Sequence, residues 1–345
     1  MSAPTLSRKK TLSDFRIDHA LLQIKSDFGV SVSVESKKKQ LAKFGKNDSV
    51  GTGGATVMTL AGSETDETYV NRNLITHFAS SSSSDAMVLS VEGHTVGDDE
   101  SVSTLTQSSG TATCTTSGAH GYSTNDWVYV EGANETEYNG IVQVTVTSTT
   151  VFTYTVDSGA TSPATGTITA TNQDKTFSVQ DATLAGQTKT ALTTPLARVT
   201  RAYVKSQNRA TDLVGDIYIA EDVTFTSGVP GTNSAVHLMI PNGRNQSEKC
   251  ATSISSSDYW IVTEFEAAVL TKSGTIYADV DLEALRIGGV WRILEDLAVT
   301  NQSGSIIVPL DPPIIVPANA EVRARAVSST SNTSIEAVIR GYLAN

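Results

Sequence analysis

The side chains that could do chemistry in this chain are a run of alternating carboxylates, an acidic triplet, five histidines and one glycine-rich turn. Asp279-Val280-Asp281-Leu282-Glu283 puts three carboxylates on one face of an extended strand. Glycosidases work with two carboxylates facing each other across a cleft. Three carboxylates along a single strand all point the same way, and the expectation is a wet sheet face. Asp98-Asp99-Glu100 gathers hard oxygen ligands of the kind Ca²⁺ takes, but no EF-hand or other repeat spacing surrounds it, so it is read as a solvated loop. His19, His77, His94, His120 and His237 include no HExxH or HxH pair. His77 and His94 each end a strand candidate and could meet in space, yet two imidazoles do not complete a metal site. Gly51-Thr52-Gly53-Gly54 lacks the Lys-Ser/Thr that completes a phosphate loop and is read as a hinge. No GxSxG, zinc spacing or Cys-His pair in a sensible context is present. No catalytic, metal or cofactor-binding residue is therefore expected, and the chain is read as non-enzymatic.

Two further groups of residues suit binding. Of the three tryptophans, Trp260 lies in the apolar run DYWIVTEF and belongs to a core, while Trp127 is the candidate for an exposed glycan contact. Lys37, Lys38, Lys39, Lys43, Phe44 and Lys46 form a basic stretch with one aromatic and are the candidate partner-contact residues. They close a basic N-terminal arm, residues 1–49, with ten Lys and Arg against five Asp and Glu. The whole chain of 345 residues carries a formal charge of -11, so the arm sits on an acidic body. Such a body repels phosphate, and nucleic acid is not an expected partner.

The elements that must position these residues read as strands. Val30, Val32 and Val34 alternate with serine in FGVSVSVES, a half-buried strand pattern that follows a possible short helix over 14–25. Thr- and Val-rich runs broken by Gly, Asn and Pro continue to the C-terminus. Residues 102–171 differ in character: no Lys or Arg, and strands such as GTATCTT, WVYVEG and VFTYTV with turn signals between them. That spacing predicts an immunoglobulin-like sandwich, with Asn139-Gly140 as a tight turn. Pro309, Pro312, Pro313 and Pro317 are read as marking a connection between strands. The expected architecture is all-β: a jelly-roll-like sandwich body from 50–101 and 172–345, the 102–171 module inserted in one of its loops, and the arm at 1–49. Cys114 and Cys250 have no ligand spacing and are read as free thiols, which suits assembly in a bacterial cytoplasm. No segment has the apolar length of a signal peptide or a membrane span, so no membrane is expected.

The inserted segment resembles a module of phage and viral structural proteins. The resemblance runs through Gly118-Ala119-His120-Gly121-Tyr122, Asn125-Asp126, Val128 to Ala133, Glu137-Tyr138-Asn139-Gly140, Phe152 to Val156 and Ala164-Thr165-Gly166-Thr167-Ile168. It covers about one fifth of the chain. Lys43-Phe44-Gly45-Lys46-Asn47, Ser90 to Val96, Leu192 to Arg198 and the Val316 to Arg325 stretch are similar to elements of marine and freshwater phage structural proteins. The resemblance implies a component of a tailed-bacteriophage particle, either a capsid decoration, cement or head-fibre protein, or a tail-associated, receptor-binding protein that recognises host surface glycans. The partners it implies are the major capsid protein or other virion proteins, with a homo-oligomer, trimer or dimer.

Overall fold

A computed structural model describes residues 39–58, 69–207, 213–271 and 273–345. The possible helix at 14–25, the valine-serine strand, Lys37 and Lys38 lie outside the described residues. The described chain is all-β, its regular structure being strands and two single-turn 3₁₀ segments.

Three apolar cores organise these strands. The first lies in a terminal sandwich. One of its sheets runs Lys39–Val50, Thr333–Ala344, Tyr259–Val269, Ile306–Val316. The other runs Ala55–Thr56, Glu321–Ser328, Tyr277–Leu285, Trp291–Thr300, with Ala251–Ser253 also paired to Glu321–Ser328. Trp260, Phe265, Val280, Leu282 and Ile339 fill the space between them. The alternation that predicted strands is visible in this core: Val322, Ala324 and Ala326 point inward from one strand.

A middle sandwich holds the second core. The sheet Thr176–Thr183, Met87–Thr95, Arg198–Gln207, Gln246–Glu248 faces the sheet Thr190–Leu196, Ile75–Ser80, Ile217–Glu221, Val236–Ile240. Phe78, Leu89, Leu196, Ile217 and Ile219 pack between them. The stretch expected to form one body thus builds two sandwiches with separate cores. The reason is chain path: Tyr259 to Ala344 folds almost wholly upon itself, and strand Lys39–Val50 joins it from the N-terminal side.

The third core belongs to the inserted module. Its strands begin at Asp99 and end at Asn172, so the expected limits 102 and 171 fall inside strands. Strand Asp99–Ser108 is shared between two layers. Its first residues pair with Gly166–Asn172, and from Val102 onward it pairs with Thr111–Thr116. The two outermost strands, Gly140–Gln143 and Thr145–Ser148, are consecutive in the chain and meet at Val144. The Val144 N–H donates to the Asp126 carbonyl at 2.9 Å, and the Val144 carbonyl accepts from the Asn125 N–H at 2.8 Å. The layers therefore curl almost into a closed barrel, which removes open edges. The two ends of the insertion lie side by side, with the Gly97 N–H donating to the Asn172 carbonyl at 2.8 Å.

Two local expectations change. Asn139-Gly140 does not make a two-residue hairpin turn. Asn139 is extended, and its side chain holds both backbone groups of Ala133, at 3.1 and 2.8 Å, while Thr136–Tyr138 supplies the turn. The prolines at 309, 312 and 313 lie within a strand, Ile306–Val316, and not in a connection. That strand is the last of its sheet, where a missing N–H costs no ladder bond. Gly51 to Gly54 does act as a turn: it carries the chain from one sheet of the terminal sandwich to the other, with Gly54 at φ +76° against the Arg325 guanidinium.

Separate cores imply separate units of stability. Phe152 is fully buried in the module core. Phe152→Ala is expected to cost the module about 3–5 kcal/mol. Hydrogen exchange should show faster amides across 99–172 with those of Tyr259–Val269 unchanged. Equal acceleration in both would mean that the cores unfold as one.

Candidate docking groove and charged seam

The strand Lys39–Val50 decides the fate of the expected contact residues. It pairs along its length with Thr333–Ala344, so the arm expected to end at residue 49 gives its last eleven residues to the terminal sandwich. Pairing sets alternate residues inward and outward. Lys43 falls on the inward side and is buried, its ammonium 3.3 Å from the buried carboxylate of Glu248. It is a structural cation and is withdrawn as a surface contact. Lys46 stays at the surface in an ion pair with Asp48 at 2.8 Å. Lys39 lies over the Phe177 ring, 5.2 Å from its centroid. Phe44 points outward and is 41% exposed.

Lys39, Lys43 and Phe44 thus line a common feature, a groove of about 630 Å³ between the terminal and middle sandwiches. One wall is the start of the Lys39–Val50 strand. The floor is the outer face of the middle sandwich, with Glu92, His94, Arg201 and Glu248. Register explains this set: Glu92 lies opposite Arg201, and Arg201 opposite Glu248, on neighbouring strands. Arg201 reaches Glu92 at 3.4 Å and Glu248 at 3.5 Å. Burial raises the pKa of the Glu248 carboxyl, against the pull of Lys43 and Arg201. Phe177 and Val179 form the apolar rim, 40% and 54% exposed. Burial pushes His94 down to about 3, so it is neutral; its ring stands 5.3 Å from Phe177, and its Nδ1 has no hydrogen-bond partner among the described residues.

Behind the groove lies a buried charged seam that sequence reading did not find. Glu321 is 4% exposed. Arg198 of the middle sandwich donates to it from Nε at 3.1 Å and lies at 3.0 Å through Nη2. Lys175, from the segment leaving the module, approaches at 3.4 Å. The Ser253 hydroxyl donates to its second oxygen. Burial alone would raise this carboxyl, but Arg198 and Lys175, with Ser253, hold it at about 2. Arg198 also lies over the Tyr69 ring at 4.8 Å, Tyr69 lies 5.4 Å from Trp291, and Arg323 lies over Trp291 at 4.1 Å. Arg323 is buried and donates to Glu283 at 2.7 Å, so the carboxylate run expected on a wet face is buried at its Glu283 end. No spacing in the sequence announces this network, because its members come from separate strands and segments between Tyr69 and Arg323.

The module docks on the same region. Trp127 was expected to be exposed for a glycan. Its ring instead covers Gly288 in the turn of the Tyr277–Leu285 and Trp291–Thr300 hairpin, where a Cβ would fall 2.3 Å from the indole. Trp127 is half-buried and makes a contact between units. Asp99 of the acidic triplet accepts from Arg72 at 2.7 Å and from Thr171 at 2.6 Å, and Arg72 also donates to Glu131 at 2.6 Å. Arg72 thereby ties the module to the segment that enters the middle sandwich. His77 and His94 lie in opposite sheets of the middle sandwich and do not meet; His77 bonds Thr76 at 2.8 Å. His120 accepts from the Tyr122 N–H at 2.9 Å and stacks on the Tyr122 ring at 4.6 Å, a turn role. Cys114 and Cys250 are buried free thiols, and burial pushes Cys114 up to about 12. Asp281 faces Asp296 across the ladder, and burial together with Asp296, Glu283 and Asp279 raises it to about 6. Among the described residues no group of three His, Cys, Asp or Glu could hold a metal ion, and no helix is long and apolar enough to cross a membrane.

No protein-family model and no curated protein matches the chain. Among solved structures it aligns with that of infectious bursal disease virus Gx strain, at 10% identity over 92% of this chain and 79% of that one, with a TM-score of 0.17. The Gt strain of the same virus aligns at 9% identity over 94% and 77%, with a TM-score of 0.13. Superposition at these scores carries no argument about fold or role.

The seam gives a pH dependence with a definite sign. Glu321 is depressed from its unfolded value, so its stabilisation is present above about pH 4.5 and is lost as pH falls toward about 2. His94 is also depressed, so folding loses stability as pH falls from about 6.5 toward 3. Glu321→Gln leaves two buried cations without their carboxylate and is expected to cost about 3–5 kcal/mol at neutral pH. Urea titrations at pH 7 and pH 3 should show that cost shrinking at the lower pH; an equal cost at both would contradict an ionised Glu321. Asp281 shifts the other way. Its raised value means that its contribution to folding is lost as pH rises through about 6. Asp281→Asn is expected to raise Tm at pH 8 and to leave it unchanged at pH 4.

Proposed function

We propose that this chain is a structural protein of a tailed-bacteriophage particle, a decoration, cement or head-fibre protein on the capsid exterior. One observation carries the reading. The residues that resemble the phage module are the framework of a unit with a core of its own, separate from the other two. Tyr122 donates to the Ala170 carbonyl at 2.8 Å, Tyr154 to the Tyr138 carbonyl at 3.0 Å and Tyr138 to the Thr161 carbonyl at 2.9 Å. These three tyrosines and Phe152 pack in one core. A pattern repeated for such scaffolding reasons suits a stable display unit. The Lys- and Arg-free surface of 102–171 would face outward.

The two sandwiches behind it would bind the shell. The major capsid protein or another virion protein is the proposed partner. Residues 1–38 and the surface of the Lys39–Val50 strand, with Lys39, Phe44 and Lys46, would make the contact. Many copies on one particle would add weak individual contacts by multivalency. Assembly would take place in the bacterial host cytoplasm, where buried thiols stay reduced.

Quantitative mass spectrometry of purified particles checks this reading. A copy number comparable to that of the major capsid protein, or a simple fraction of it, is the expected result. A handful of copies per particle would move the protein to the tail or a vertex, and its absence from particles would end the virion reading.

A further inference from the structure

The groove between the sandwiches combines an open strand edge, an apolar rim and a nearby chain end. Among the described residues, strand Lys39–Val50 is the last in its sheet. Alternate N–H and C=O groups along it therefore point away from the Thr333–Ala344 strand, toward whatever lies beside that edge. Phe44, Phe177 and Val179 expose apolar surface around the same groove. An edge that offers backbone bonds beside apolar pockets is suited to receive an added strand, with alternate side chains supplying specificity.

The chain carries a segment of matching chemistry. Residues 1–38 precede Lys39, which itself lines the groove. Among them, Phe28-Gly29-Val30-Ser31-Val32-Ser33-Val34-Glu35 presents three valines with a period of two. At about 3.3 Å per residue, the five residues Val30 to Val34 cover about 16 Å, one residue less than the six-residue wall from Lys39 to Phe44. Lys37 and Lys38 follow this segment, and Asp258 lines the groove beside Glu92 and Glu248, whose charges Arg201 and Lys43 already meet. Returning the segment onto its own chain would need a tight turn before Lys39. Glu35-Ser36-Lys37-Lys38 contains no Gly, Asn, Asp or Pro to form one. A neighbouring copy is the sterically simpler acceptor.

We propose that residues Val30 to Val34 of one copy add as a strand to the free edge of the Lys39–Val50 strand of a second copy, their valines seated against Phe44, Phe177 and Val179. Reciprocal or cyclic exchange of this segment would close a homo-oligomer. The inference does not rest on the virion reading, since both parties are this chain; it gives Val30 to Val34 and the Phe44 edge to a second copy and leaves residues 1–29 and Lys46 for a shell contact.

The test coexpresses two full-length chains of different tag mass, one carrying Val32→Cys and the other Val179→Cys, followed by mild oxidation and non-reducing electrophoresis. The native thiols are buried and do not compete. The expected result is a disulfide-linked species of mixed mass, absent when either variant is expressed alone and lost when Val30→Asp and Val34→Asp are added to the first chain. No mixed species would overturn the proposal. So would a disulfide formed only within a single chain carrying both cysteines, which would mean that the segment folds back on its own copy. Absence of the protein from purified particles would leave either outcome unchanged.

Discussion

A carboxylate taken out of water fixes how the parts of this protein meet. Glu321 begins a strand of the terminal sandwich, Arg198 begins a strand of the middle sandwich, and Lys175 ends the segment that leaves the module. A buried charge is tolerated only when paired and fully hydrogen-bonded. Any displacement of one unit would strand at least one ion in the interior. The seam need not add net stability over an apolar contact of equal volume. Its consequence is positional: the three units have one arrangement in which every charge is satisfied. The Trp127 contact with Gly288 and the Arg72 bridge to Asp99 and Glu131 are then additional points of attachment on the same frame.

This arrangement explains why a large insertion is compatible with a stable middle sandwich. The module enters at Asp99 and leaves at Asn172, and those ends are hydrogen-bonded neighbours. The host strands Met87–Thr95 and Thr176–Thr183 pair directly with each other on either side of it. From the sandwich's viewpoint the insertion replaces a hairpin turn. Loop-closure entropy then costs little, because the module's own core pays the ordering of its residues.

Strand content was legible because it rests on local signals. Period-two alternation in KTFSVQ, YWIVTEF and EVRARAVS gives strands that the structure contains at Thr176–Thr183, Tyr259–Val269 and Glu321–Ser328. What local signals do not encode is which strands share a core. Strand Lys39–Val50 finds its partner almost three hundred residues away, and its lysines looked like an arm because charge is the louder feature of KKKQLAKFGKN. Lys43 looked identical to its neighbours, and only register decides that it alone of them meets Glu248. The setting of Trp127 was hidden for the same reason: its exposure depends on a glycine turn that comes 161 residues later. The acidic triplet, read as a solvated loop, gives Asp99 and Glu100 to a strand, and the carboxylate run, read as a wet face, is exposed at Asp279 but buried at Glu283. Their partners Arg72, Arg323 and Asp296 became visible only through pairing.

The basic stretch therefore divides into two kinds of charge. Lys43 is spent inside, joining the terminal sandwich to Glu248, while Lys39 and Lys46 remain outside with Phe44 between them. Natural sheets usually blunt an outer strand with charge, proline or a bulge. Ile306–Val316, at the opposite edge of the same sheet, does so with three prolines. Lys39–Val50 contains no proline, and Phe44 stands exposed beside Phe177 and Val179 on the facing sandwich. One edge is thus blunted by proline, and the other by lysines and by a bulge between Asn47 and Val50, which leaves the proline-free stretch around Phe44 as its most open part. The two edges belong to one core, but the Lys39–Val50 edge borders the groove and the Ile306–Val316 edge does not, so the asymmetry lies in sequence and surroundings together. It places the surface of this protein best suited to backbone pairing at the point where the N-terminal residues leave it.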